Sequence, residues 1–148
     1  VLLCISIGFY LTFFQNIYEN YYLKDNSVVS LQRVKGILVE KHQARTIELI
    51  GELLNKNTKK NDYVLFYPYH PLFYFIFERK NPSKDPTYYV RAWRFYDDDK
   101  IISEIRQKKT KYIIAYGPYD FDTKLSDFII KQKKVSSFGS VVVFKIQY

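Results

Sequence analysis

The sequence predicts an α/β fold: a small, mostly parallel sheet covered by helices with a C-terminal antiparallel hairpin, preceded by the end of a transmembrane helix. Three observations predict it. An uncharged apolar run extends from Val1 to Phe14, and two continuous apolar runs of strand length, Tyr63–Tyr67 and Tyr112–Tyr116, alternate with amphipathic segments. Near the end, two short Val- and Phe-containing segments are joined by Gly139-Ser140.

The first run reads VLLCISIGFYLTFF, without charge or proline. A spanning helix needs about 20 apolar residues, so the run is expected to be the second half of a truncated transmembrane helix. The chain holds no Met, which predicts that the protein continues upstream of Val1. A signal-peptide core would follow basic residues, and a buried soluble helix would keep a polar face; the run has neither. Tyr10, Tyr18, Tyr21 and Tyr22 gather at its exit, where aromatic rings sit at headgroup level. Residues 1–23 are therefore expected to be the helix end and interfacial segment, and 24–148 one domain.

Asn26-Ser27 marks a break, and Arg33–Val39 reads as a short strand. From Gln43 to Asn55 the apolar positions Ala44, Ile47, Ile50, Leu53 and Leu54 recur at three and four, the spacing of one helix face. Tyr63–Tyr67 has the continuous apolar character of a buried central strand. Pro71 suits the first turn of a helix over Leu72–Glu78, and the prolines of Asn81–Pro86 demand irregular backbone. Asp97, Asp98 and Asp99 start a further helix carrying Ile101, Ile102 and Ile105. Tyr112–Tyr116 is a second buried-type strand, and Leu125, Phe128 and Ile129 mark a last helix. Val135–Phe138 and Val141–Ile146 form the hairpin, with Gly139 at the first central position of a tight turn.

A net charge of +8 raises the question of a polyanion partner. The lysines cluster where helices are expected to end, as at Lys108-Lys109 and Lys131 to Lys134, where cations complement the helix dipole. No specific nucleic-acid partner is expected; anionic membrane lipid is the nearer candidate. Lone Cys4 excludes an intramolecular disulfide, and His42 and His70 lack neighbours at ligand spacing, so no metal site is expected. Gly36 stands alone and Pro68-Tyr69-His70-Pro71 removes amide donors after a central strand, which argues against a dinucleotide fold. Ser136 and Ser137 lack a base at known spacing.

One segment carries the candidate site residues: Tyr67, Tyr69, His70, Tyr74, Arg79 and Asn81. They follow the C-terminal end of a central strand and combine aromatic rings with a guanidinium able to hold phosphate or carboxylate. Two readings stand side by side: contact with a sugar or lipid phosphate, or Tyr74 in the core with Arg79 closing a helix end. His70 is likewise a base candidate or a capping and packing residue.

These residues also carry a resemblance. The apolar helix, a strand ending in Pro68, the aromatic helix with Tyr74 and the stretch Arg79-Lys80-Asn81-Pro82-Ser83 resemble the C-terminal soluble domain of bacterial membrane glycosyltransferases. Those enzymes form the protein-mannosyltransferase-like branch of the glycosyltransferase C superfamily. Gly36, Asp62 to Pro68 and, less strongly, Lys111 to Ile114 are further points of likeness; Glu78 beside Arg79 is a departure. The resemblance implies an extracytoplasmic accessory domain of a cell-membrane enzyme that moves a sugar from a polyprenyl-phosphate carrier to a lipid, glycan or protein acceptor. It places the catalytic carboxylate outside this chain, so no catalytic residue and no cofactor is assigned within it. A membrane-tethered, noncatalytic glycan- or protein-binding module is the alternative.

Overall fold

The computed structural model describes residues 26–68, 70–84, 97–117 and 123–148. The expected membrane helix and Tyr69 lie outside these residues. Among the described residues no helix is long and apolar enough to cross a membrane. The chain divides into two compact units, Val1–Glu48 and Leu49–Tyr148.

In the first unit β1 (Asn26–Val28) pairs antiparallel with β2 (Leu38–Glu40), Ser27 opposite Val39. A single 3-10 turn, Gln32–Val34, lies between them. The strand expected over Arg33–Val39 is therefore shorter, because Gly36 takes φ +92 and breaks the extended run. Ser30 Oγ donates to Glu48 Oε1 at 2.7 Å and fastens this hairpin to helix α1 (Lys41–Asn57).

α1 continues into the second unit, where Ile50 and Leu54 are fully buried. The elements that follow are β3 (Val64–Tyr67), α2 (Pro71–Phe77), α3 (Asp98–Gln107), β4 (Tyr112–Tyr116), α4 (Lys124–Ile130), β5 (Lys133–Phe138) and β6 (Val141–Lys145). Their starts follow local chemistry. Pro71 opens α2; the Asp97 carboxylate accepts from Lys100 N at 3.1 Å at the head of α3; the Thr123 hydroxyl accepts from Ser126 N at 3.1 Å at the head of α4.

The main sheet has the order β3-β4-β6-β5. β3 and β4 are parallel, with Leu65 opposite Ile113, whereas β4–β6 and β5–β6 are antiparallel. The expectation of a mostly parallel sheet is thus corrected to a mixed, mainly antiparallel one. The physical reason is that β2 pairs with β1 in a separate sheet, leaving one parallel pair, while the closing hairpin inserts β6 beside β4 and so contributes two antiparallel ladders. The hairpin itself is present as expected, with Gly139 at φ +58 between Phe138 and Val141.

Alternation along the strands gives the sheet two covered faces. Leu65, Tyr67, Ile113, Ala115, Val142 and Phe144 form one core with Ile101 and Ile105 of α3 and Leu125 and Ile129 of α4. On the other face lie Phe66, Ile114 and Val143, in register with one another. There α2 supplies cover: Phe77 stacks on Phe66 with centroids 5.6 Å apart, and Phe73 meets the same ring edge-on.

Candidate functional site

The two parallel strands end side by side, β3 at Tyr67 and β4 at Tyr116, and all six candidate residues lie on or after β3, five of them among the described residues. The strand end separates them by face. Tyr67 is 4% exposed and belongs to the core of the α3–α4 face. Its hydroxyl lies 3.3 Å from Ser126 Oγ, which in turn lies 3.0 Å from Thr123 Oγ1. Burial pushes the Tyr67 phenol up from its ordinary value, so this chain of hydroxyls is uncharged at neutral pH.

His70 occupies the other face. A cis peptide joins Tyr67 to Pro68, and His70 then takes the position before α2. Its ring stacks on Phe73 at 5.0 Å and 20°, and meets Tyr116 at 4.6 Å and 48°. Phe73 and Tyr116 are themselves 5.8 Å apart, so the half-buried His70 and Tyr116 rings form an edge over the buried Phe73 ring. Burial lowers the His70 pKa and raises that of Tyr116, which keeps both rings neutral at pH 7. An edge of this kind presents an imidazole and a phenol ring on a buried aromatic base, suited to contacting a ring that also carries hydroxyl groups.

Tyr74 and Asn81 do different work. Tyr74 OH accepts from Phe66 N at 3.2 Å and donates to Asn81 Oδ1 at 3.1 Å, and that oxygen also accepts from Ser83 N at 3.1 Å. Val64 N donates to Lys80 O, so together these bonds satisfy amides of β3, an edge strand of the sheet.

Arg79 points inward and is 5% exposed. Nε donates to Thr58 Oγ1 at 2.8 Å, one terminal nitrogen donates to Asn55 Oδ1 at 3.2 Å, and the other donates to the carbonyl of Phe77. This arrangement follows the helix-end reading: the fork closes the last turns of α1 and α2. Burial draws the guanidinium pKa below its ordinary value, a pull that the charges of Asp62 and Glu78 oppose. Asp62 itself feels burial upward, yet the Lys111 ammonium at 2.7 Å and the Lys59 amide together hold its carboxyl below the ordinary value.

Of the sequence-derived residues, then, His70 is at the aromatic edge, Tyr67 is in the core, Tyr74, Arg79 and Asn81 hold the frame, and Tyr69 lies outside the described residues. Sequence reasoning did not pick out Tyr116. Its signal was available: Tyr116 closes the second buried-type run just before Gly117-Pro118, as Tyr67 closes the first just before Pro68. Among the described residues no group of three or more His, Cys, Asp or Glu side chains is placed to hold a metal ion.

The fold and this edge define a mixed α/β domain with an aromatic rim at the carboxyl ends of its parallel strands. No protein-family model, curated protein or solved structure matches the chain.

Proposed function

We propose that this chain is an accessory extracytoplasmic domain of a membrane glycosyltransferase, one that transfers a sugar from a polyprenyl-phosphate carrier to a lipid, glycan or protein acceptor. In this reading the His70–Phe73–Tyr116 edge meets the sugar or the acceptor. The observation that carries it is the uncharged ring set itself, the half-buried His70 and Tyr116 rings seated on buried Phe73, all within 6 Å of one another at the carboxyl ends of β3 and β4. That position is the one where open α/β sheets receive ligands. The apolar run Val1–Phe14 and the resemblance at Asp62 to Pro68, Tyr74 and Arg79 to Pro82 support the membrane setting.

The test is transfer of labelled sugar from polyprenyl-phosphate donors by membranes containing the whole protein. His70→Ala and Tyr116→Ala are expected to lower transfer about tenfold at limiting acceptor while protein levels hold, the magnitude of one lost stacking contact. Absence of any such transfer by the unaltered protein, or transfer unchanged in both variants, overturns the proposal.

The alternative is a membrane-tethered, noncatalytic glycan- or protein-binding module. The observation favouring it is that all three rings come from this chain. It predicts that the full chain alone binds a glycan or protein partner through His70 and Tyr116; the accessory-domain reading expects such binding only within the whole enzyme.

A further inference from the structure

The α3–α4 side of the domain holds a second feature, on the sheet face away from the aromatic edge. Ile102 and Phe128 pack against the core cluster from outside and form the floor of an open groove of about 340 Å³ between the two helices. Small-molecule clefts begin near this size, at roughly 300 Å³. The helix periodicity explains why the groove exists. Asp99, Ile102 and Arg106 share one face of α3, and Lys124, Phe128 and Lys131 share one face of α4 and its last turn.

The charges along the groove are unevenly partnered. At one end Lys124 Nζ and Asp99 Oδ2 are 2.6 Å apart and satisfy each other across the helices. Toward the other end the Arg106 guanidinium is held over the Phe128 ring, 5.5 Å from its centroid. No described carboxylate lies within ion-pair distance of Arg106 or Lys131, although Lys60, Lys111 and Lys124 each have one. Asp127 also lines the groove, so with Lys124 and Asp99 neutralised the lining keeps a charge near +1. Such a site suits one anionic group and not a polyanion.

We infer that this groove binds a small organic anion: a phosphate or carboxylate held by Arg106 and Lys131, attached to an apolar or ring body that lies on Ile102 and Phe128. The cation–π contact holds the guanidinium at the Phe128 ring without using its N–H donors in an ion pair with a described carboxylate, and a guanidinium takes an oxyanion bidentately. The apolar floor then adds affinity that a bare anion does not gain. This inference is independent of the proposed function, since it uses no residue of the aromatic edge.

The experiment is an NMR titration of the full chain with phenyl phosphate, inorganic phosphate and benzyl alcohol. It follows the Arg106 Nε–H and Phe128 ring signals. Phenyl phosphate is expected to move both signals and to bind at least about tenfold more tightly than either partial probe. Arg106→Gln is expected to weaken it about tenfold, in line with loss of a charged hydrogen bond. Lys133→Gln, on exposed β5 outside the groove lining, leaves binding unchanged. Arg106 and Phe128 signals that stay still at saturating phenyl phosphate overturn the inference. So does equal binding by Arg106→Gln, or an equal loss in Lys133→Gln, which would mark diffuse attraction to a basic surface.

Discussion

Arg79 donates from Nε to the Thr58 hydroxyl at 2.8 Å, and that hydroxyl in turn donates to Leu54 O at 2.6 Å. The guanidinium thereby joins the C-terminal ends of α1 and α2, whose last carbonyls have no partner within their own helices. A side chain that sequence pattern alone offers to a phosphate is instead used up by the frame.

The first prediction concerns that frame. Arg79→Met keeps the aliphatic stem but leaves Asn55 Oδ1 and Phe77 O without their donor. The expected loss is about 3 kcal/mol of unfolding free energy in urea, the scale for removing one charged partner from a buried network. Arg79→Lys recovers only part of it, because one ammonium cannot span three acceptors set for a planar fork. An Arg79→Met protein as stable as the unaltered one would show that the buried bonds contribute nothing.

The second prediction is a pH dependence at His70. Its folded pKa lies below the ordinary value of 6.5, because burial between Phe73 and Tyr116 disfavours the imidazolium. The sign follows from linkage. Above pH 6.5 neither state binds the proton; as pH falls, the unfolded chain takes it up first, so stability is fully present above 6.5 and declines as pH drops toward the folded pKa. Urea midpoints measured from pH 8 to pH 5 are expected to fall, with a shallower fall in His70→Gln. An identical slope in that variant would place the effect elsewhere.

How far the sequence reveals the molecule differs from element to element. Tyr112–Tyr116 is found at its full expected length, since a continuous apolar run bounded by turn residues has few other solutions. Helix starts at Pro71 and Asp97–Asp99 are likewise local chemistry written in the chain. Sheet membership is not local. β1 is three residues, Asn-Ser-Val, too short and polar to signal a strand, yet it takes β2 as its partner and so removes a strand from the main sheet. The direction of Arg79 was equally hidden, because capping two helices and holding an anion ask for the same residue at the same place. Tyr116 was hidden by the opposite cause: it becomes part of an edge only once β3 and β4 are known to be parallel neighbours.

The last prediction turns on two hydroxyls at the α3–β4 turn with opposite circumstances. Thr110 is fully buried, and its Oγ1 has no hydrogen-bond partner among the described residues, although its amide donates to Ile105 O at 3.1 Å. An unpaired buried hydroxyl loses its water without replacement, a cost of about 1 kcal/mol or more. Thr110→Val keeps the branched shape and discards the polar atom, so it is expected to raise unfolding free energy by about 1 kcal/mol. Tyr148 is the converse. Its ring is largely exposed, but its hydroxyl donates to Thr110 O at 2.7 Å and tethers the chain after β6 to the same turn. Tyr148→Phe removes the donor and keeps the ring, and is expected to lower stability by about 1 kcal/mol. Because both substitutions act on one turn, their effects are coupled through the Thr110 backbone, and the double variant measures that coupling. A destabilised Thr110→Val protein would mean that its hydroxyl has found a partner, and a Tyr148→Phe protein of unchanged stability would mean that the tether is made only in passing.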